Sequence, residues 1–371
     1  MDFKDSIIMP GLVNLHTHLE YSHLKPTTPI SSFVDWIIDL IKQVRNQTGS
    51  DYQRGVEKGI NELITSGTTC VGEIMAKGCS LDYLLNSKLR GIVYEEIIGL
   101  REDEAKLIFH DKFKKINLQK KINNDLITIG LSSHSPYTVS SHLLKMVGGL
   151  DKKMPTCIHI AESKAESDFI RYAKGELVDK FMPFVGWGDI KFNGRSCSSI
   201  KYIDSLGIIK PNTLLIHCVN LDEEDIAIIK ARKASVCLCP RSNGILGNGQ
   251  APVIKLIESN IKLGLGTDSL ASNTSMNLFE EMEYILTSFK LAQEEKKIVS
   301  SKKLIELGTI GGARCLGMND LIGSLGSGKK ADLIVVNTGN SEYDDPYDEL
   351  VLKAKKNKVV FSMINGEMLI K

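Results

Sequence analysis

Residues 11–18 read Gly-Leu-Val-Asn-Leu-His-Thr-His. The apolar run has the length of a strand and ends in two histidines. Strand side chains alternate faces, so residues two apart point the same way. An H-x-H at a strand end therefore aims both imidazoles at one point, and two convergent imidazoles suit a divalent metal. Taken alone the pair is a weak signal, and it gains weight from the residues further along the chain.

The same unit recurs outward from this stretch: a short apolar run, a turn carrying polar residue types, then a helical pattern. The runs are 11–15, 68–74, 91–98, 126–132, 156–161, 213–219, 235–238 and 261–266. Their continuous apolar character suits parallel strands buried on both faces. Helical patterns fall at 33–44, 52–65, 102–118, 141–148, 164–172, 222–231, 252–259 and 278–292. Strands alternating with helices indicate a parallel sheet, and eight such units predict an α/β chain closed into a (β/α)₈ barrel of TIM type. Catalytic side chains in such a barrel come from the carboxyl ends of the strands. The segment 174–205 is longer than an ordinary connection and reads as a lid. Residues 331–337 and 359–370 are β-like, with a polar stretch through 341–358 between them. The expected division is a hydrolase barrel over 10–317, with 1–9 and 318–371 forming a small accessory β-sandwich from the two chain ends.

Other histidines and carboxylates fall at equivalent places. His159 ends the fifth run, in Thr-Cys-Ile-His-Ile-Ala-Glu, with Glu162 three residues on. His217 ends the sixth, Asp268 follows the eighth, and His134 follows the fourth. Five of the eight histidines thus sit at expected strand ends, a clustering that core packing does not predict. A buried carboxylate such as Asp268 is expensive unless paired or metal-bound. Histidines and a carboxylate gathered at these strand ends are therefore expected to hold one divalent ion. Such an ion lowers the pKa of its water to about 7, and three imidazoles with one carboxylate leave it an open position. Glu162 is the candidate general acid/base. His217 is placed either to polarise the surroundings of the attacked carbon or to orient the hydroxide, and Asp268 can also accept the water proton.

Composition narrows the partners. The 371 residues are 42% hydrophobic and 25% charged, with a net charge of +1, which gives no electrostatic case for nucleic-acid binding. The eight cysteines form no C-x-x-C pair; several lie in apolar runs, as reduced cysteines do. The first ten residues lack the pattern of a signal peptide, and no run reaches 18 apolar residues. A cytoplasmic enzyme, with no membrane partner and compatible with a homo-oligomer, is expected.

Taken together, these stretches resemble the amidohydrolase superfamily, and within it the cytosine/adenosine deaminase-type, ATZ/TRZ-like branch. The likeness is carried by PGLVNLHTHLEYS, HSPYT at 134–138, HIAESKAE at 159–166, HCVNLDEED at 217–225, CPRSNGILGNG at 239–249, GLGTDSLASN at 264–273 and IGSLGSGKKADLIVV at 322–336. The resemblance implies a single metal on His16, His18, His159 and Asp268; Zn²⁺ is expected there, and Fe²⁺ is the alternative that His₃Asp also suits. It implies Glu162 as proton shuttle, His217 as the histidine orienting the hydroxide, and His134 and Trp36 as substrate contacts. Arg241 reads either as a surface residue or as the partner of a substrate carboxylate. HLEYS, HIAES and CPRSN most resemble the aminodeoxyfutalosine deaminases of menaquinone biosynthesis, which implies a nucleoside, 6-amino-6-deoxyfutalosine, losing ammonia at purine C6. The alternatives are deamination of S-adenosylhomocysteine, methylthioadenosine or adenosine, or a chlorohydrolase of the same branch. Relatives carry a longer segment before the first barrel strand, whereas only nine residues precede Pro10 here. The N-terminal share of the sandwich is expected to be short.

Overall fold

Twelve strands are present among the residues that the computed structural model describes, which are 2–370 apart from 4, 27–29, 123, 290 and 341. In chain order they are β1 (Ser6–Pro10), β2 (Leu12–Thr17), β3 (Thr68–Met75), β4 (Arg90–Ile97), β5 (Ile127–Ser133), β6 (Thr156–Ile160), β7 (Thr213–His217), β8 (Ser235–Leu238), β9 (Lys262–Leu265), β10 (Leu333–Asn337), β11 (Lys358–Ile364) and β12 (Glu367–Ile370). Strands β2 to β9 form one parallel eight-stranded sheet in sequence order. Its two ends meet. Asp268 N donates to the His16 carbonyl at 3.0 Å, and the Asn14 side chain bridges the seam by donating to Thr267 Oγ1 and accepting from Thr267 N. The sheet is the expected barrel, and its strands fall where the apolar runs do.

Two shells hold it. Inside, Val13, Leu15, Cys70, Ile74, Tyr94 and Cys157 pack with the later strands. Outside, the opposite faces of the strands pack against helices through residues such as Val56, Leu63, Leu84, Phe169 and Phe279. The helix Gly49–Thr65 illustrates why such segments are helical. It is capped by a Thr48–Asp51 box, in which Thr48 N donates to the Asp51 carboxylate at 2.7 Å, and it buries Tyr52, Val56 and Leu63 on one side. Two glycines permit the strands' approach to β2. A Cβ on Gly72 would lie 2.2 Å from the Leu15 carbonyl oxygen, and one on Gly266 would lie 2.8 Å from His16 Cβ.

The chain ends form a separate antiparallel sheet in the order β1-β10-β11-β12. Among the described residues this accessory unit is one sheet, and its second layer is helical: the barrel helix Gly49–Thr65 packs on β11 and β12. It is tied to the barrel by a buried ion pair, Arg90 Nε to Asp332 Oδ2 at 2.7 Å and the Arg90 terminal nitrogen to Oδ1 at 3.1 Å. The polar stretch expected through 341–358 contains a helix, Pro346–Leu352, which begins at an Asp345 cap with Pro346 in its first turn and buries Leu350 and Val351. Ser341, and Lys290 within the helix expected at 278–292, lie outside the described residues. No described helix is long and apolar enough to cross a membrane.

Candidate active site

The mouth of the barrel gathers the strand-end residues that the sequence singled out. Ligand atoms of His16, His18 and His159 lie within 4.8 Å of one another, as do those of His16, His217 and Asp268. His16 reaches the mouth by more than simple alternation. Its neighbours Val13 and Leu15 both face the interior cluster, and the register of β2 against β3 shifts between Asn14 and Thr17. An irregularity of that kind re-aims side chains.

Some of these groups are held by a partner and others are not. His159 Nδ1 lies 2.6 Å from the His134 carbonyl oxygen, so Nδ1 carries the hydrogen and Nε2 presents a lone pair. That lone pair faces His18 Nε2 at 3.3 Å. His16 Nε2 lies 3.2 Å from Asp268 Oδ1, yet both His16 ring nitrogens and His18 Nδ1 are buried without a hydrogen bond. Asp268 Oδ2 accepts from the hydroxyls of Ser242 and Ser272, each at 2.7 Å, and Oδ1 accepts from Ser269 N at 2.8 Å.

Electrostatics point the same way. Burial, with the charge of His16 next, pushes His18 down to about 3, and burial pushes His134 and His217 down to about 4. His159 is likewise well below its ordinary value, through burial and then its imidazole neighbours. Burial alone would raise Asp268, but the imidazoles of His16, His217 and His18 outweigh it and hold the carboxyl well below the usual range. Imidazoles gathered around one ionised carboxylate, with several of their ring nitrogens buried and unpaired, are the donor set of a divalent cation. The residues present therefore fit a metal.

Glu162 lies beside this cluster. Its Oε1 is 3.7 Å from His217 Nε2 and accepts from Asn248 Nδ2 at 3.3 Å. Burial, then the charges of Asp268 and Glu166, hold its carboxyl well above the usual range. The turn that carries it is fixed by Glu166, whose carboxylate accepts from Ala161 N and Glu162 N, while Ser163 caps the following helix. His217 Nδ1 meets Asn243 Oδ1 at 3.1 Å, which turns Nε2 toward Glu162.

A cavity of about 390 Å³ opens above these groups, within the range of small-molecule sites. His18, His134, His159, Glu162, His217 and Asp268 line its inner end, and Trp36 lines its wall while donating to the Ala271 carbonyl oxygen. The long segment 174–205 contributes Phe181, Val185 and Trp187 to that wall. Arg241 is not among the lining residues, which corrects its reading as a partner for a substrate carboxylate. Its guanidinium is bound to Glu280 at 3.0 Å and to the hydroxyls of Thr274 and Ser275. The cations that do line the cavity are Arg45 and Lys77. Several residues of the site are not singled out by the sequence, among them Ser272, Ser269 and Glu166. Ser242, Asn243 and Asn248 all stand in the CPRSNGILGNG stretch, and Glu96 lies near a strand end as His159 does.

The sequence profile of the amidohydrolase family matches residues 7–369. The chain belongs to the amidohydrolase family. This amidohydrolase is 28% identical over 369 residues to an aminodeoxyfutalosine deaminase of Nitratiruptor sp., covering 98% of this chain and 87% of that one. It is 31% identical over 351 residues to a 5'-deoxyadenosine deaminase of Methanobrevibacter smithii, covering 92% of this chain and 75% of that one. Among solved structures it is similar to a zinc-bound adenosine deaminase from Xanthomonas campestris, with a TM-score of 0.83, 25% identity, and coverage of 99% of this chain and 81% of that one.

Proposed function

We propose that this amidohydrolase is a metal-dependent deaminase of adenine nucleosides, and that its substrate is 6-amino-6-deoxyfutalosine, converted to futalosine and ammonia in menaquinone biosynthesis. The observation that carries the reaction type is a buried carboxyl of raised pKa, Glu162, set beside three imidazoles and one carboxylate at the closed end of a nucleoside-sized cavity. The similarity to named adenine-nucleoside deaminases supports it.

His16, His18, His159 and Asp268 would hold one divalent ion, Zn²⁺ or Fe²⁺. Bound there, the ion supplies a Lewis acid that lowers the pKa of water to about 7. The chain's own groups do the rest. Glu162, whose carboxyl burial and then the charge of Asp268 hold well above the usual range, delivers a proton to purine N1 as water oxygen adds to C6 and the C6–N1 π pair moves onto N1. Charge builds on N1 only as the ring loses aromaticity, so this proton stabilises the transition state selectively. His217, with Nδ1 held by Asn243, orients the attacking oxygen. Asp268 accepts the proton that the water loses. That proton passes to N6, the C6–N6 bond breaks with its pair leaving on ammonia, and the C6 hydroxyl returns its proton to the ionised Glu162 as the C6 carbonyl forms. His134, held through Nδ1 by Thr138 Oγ1 at 2.7 Å, presents Nε2 to the base, and Trp36 walls the cavity.

The finer substrate reading rests on the other residues that line the cavity. Phe33, Ile37, Ile41 and Trp187 give the cavity an apolar wall, and Arg45 and Lys77 are the cations among its lining residues. An aryl substituent ending in a carboxylate matches both features, and Arg45 and Lys77 take the role that Arg241 cannot. In this reading residues 10–317 are the hydrolase unit and 1–9 with 318–371 the accessory unit of a cytoplasmic enzyme acting on a small molecule. The test is ammonia release by the metal-loaded enzyme. The expected result is a higher kcat/KM for aminodeoxyfutalosine than for adenosine, methylthioadenosine or S-adenosylhomocysteine. A higher value for any of the three overturns the substrate and leaves the deaminase; no ammonia from any of them overturns the deaminase.

A further inference from the structure

Strand β4 carries two adjacent buried glutamates with opposite fates. Glu95 faces outward, where its Oε1 accepts from Lys112 Nζ and Lys115 Nζ, each at 2.8 Å, and its Oε2 from Gln119. Glu96, on the other face of the strand, is 7% exposed and lines the cavity. Its Oε1 is buried with no hydrogen-bond partner, and no donor of the described residues forms a hydrogen bond or ion pair with the group. A buried carboxylate left unpaired is costly. One that points into a substrate cavity is completed when a ligand brings the donors.

The register places Glu96 in depth. It pairs with Ser132 on β5, two residues before His134, and its carboxylate lies within 4.8 Å of ring nitrogens of His134 and His159. Ile98, two residues further along the same face, also lines the cavity. Glu96 therefore stands beside the groups assigned to the base, and the next lining residue along the chain, Ile98, is apolar. The donors available in an adenine nucleoside are few. Ring atoms N1, N3 and N7 are acceptors, and the N6 amino group departs. The ribose hydroxyls are the donors that persist from substrate to product, and a vicinal diol can give both hydrogens to one carboxylate.

We propose that Glu96 is a specificity-determining residue that accepts hydrogen bonds from the vicinal sugar hydroxyls of the substrate. The proposal rests on the nucleoside reading above and deepens it. Glu96 moves no proton; it selects ribosides and fixes the sugar so that C6 sits over the reacting groups.

The test compares adenosine with 2',3'-dideoxyadenosine on the metal-loaded wild type and Glu96→Gln. Hydrogen bonds to a charged acceptor predict that wild type favours adenosine by roughly 10- to 100-fold in kcat/KM, chiefly through KM. In Glu96→Gln, where an amide donor replaces one acceptor oxygen, the ratio should collapse to within about 3-fold. A ratio kept at the wild-type value, with both nucleosides falling in step, overturns the proposal, as does a wild type indifferent to the hydroxyls. Equilibrium binding of inosine and 2',3'-dideoxyinosine gives the same comparison without turnover. Hydroxyl-dependent binding that Glu96→Gln abolishes, in an enzyme that releases no ammonia, removes the deaminase reading and upholds Glu96. Ammonia release with no hydroxyl dependence in binding does the reverse, and binding of neither nucleoside overturns Glu96. Glu96→Gln removes a buried charge, and a thermal midpoint at or above the wild-type value certifies its fold.

Discussion

Ser272→Ala should weaken metal binding without touching a metal ligand. Asp268 is 6% exposed, so water cannot readily replace a lost partner. Its Oδ2 is held by two hydroxyls, from Ser242 and Ser272, at 2.7 Å each, and the main-chain donor Ser269 N goes to Oδ1. Hydrogen bonds to a charged group contribute about 1.5–3 kcal/mol each. At about 1.4 kcal/mol per factor of ten, loss of one corresponds to a roughly 10- to 100-fold rise in the ion's Kd, the range found when an outer partner of a ligating carboxylate is removed. Ser242→Ala should behave alike. The double variant should lose more than the product of the single effects, because both hydroxyls serve one oxygen. Thr138→Ala is the control: its hydroxyl bonds His134 Nδ1 at 2.7 Å, and His134 is outside the proposed ligand set. Zn²⁺ competition against a chromophoric chelator reads the Kd directly. If Ser272→Ala and Thr138→Ala hold the ion as tightly as wild type does, Asp268 is not a ligand and the reasoning fails.

Glu162→Gln should keep its full complement of metal yet lose roughly 10²–10⁴-fold in kcat, the share of a general acid/base; elemental analysis with steady-state kinetics checks it, and a wild-type rate refutes it. Glu96→Gln should change how stability depends on pH in the metal-free protein. Burial pushes the Glu96 carboxyl up to about 7, so the folded state holds that proton better than the unfolded chain. The contribution is full below the unfolded value of about 4.5 and is lost as pH rises through about 7, leaving an ionised group that costs about 3 kcal/mol. The variant should therefore melt higher than wild type at about pH 8 and alike at about pH 4.5; equal melting at both values counts against the shift. Asp332→Ala strips the partner from Arg90, whose pair with it is 4% and 1% exposed at the side chains. Denaturant unfolding should show a loss of about 3–5 kcal/mol, and a loss below about 1 kcal/mol would mean that the two units are not joined through this pair.

The barrel was legible because parallel strands buried on both faces are written as unbroken apolar runs. Leu12–Thr17 and Thr68–Met75 are buried at every position, and no alternating antiparallel pattern competes with that reading. The histidines were legible for a related reason, since a polar residue ending such a run has few structural uses. Three other features were hidden. Arg241 was misplaced because sequence order cannot say which way a side chain leaves a helix's first turn. Ser242, its neighbour, reaches Asp268, while Arg241 turns to Glu280. Glu96 was hidden inside a Glu-Glu pair whose two members look alike until the strand separates their faces. The helix Pro346–Leu352 was masked by its polarity, though Asp345-Pro346 is a start signal.

The mouth of the barrel also carries a backbone cost that no motif displays. Ala161, His217, Cys218 and Asp268 all have positive φ, at 50°, 76°, 51° and 60°, although none is glycine. Each such residue costs about 1–2 kcal/mol against an ordinary conformation. They fall at the ends of β6, β7 and β9, where a strand must turn sharply to aim a side chain over the cavity. The surrounding hydrogen bonds show what holds them there. Val219 N and Asn220 N both donate to the Ala161 carbonyl, and the Glu166 carboxylate takes Ala161 N and Glu162 N. The two turns after β6 and β7 are thus locked to each other, and Glu162 and His217 ride on them 3.7 Å apart. Glycine at residue 161 would remove the backbone cost and keep these main-chain bonds, but it would widen the conformations open to the turn. The spacing between proton donor and orienting histidine is therefore set by strained backbone cross-braced through Glu166, which explains why a fully buried carboxylate stands four residues beyond the one that does the chemistry.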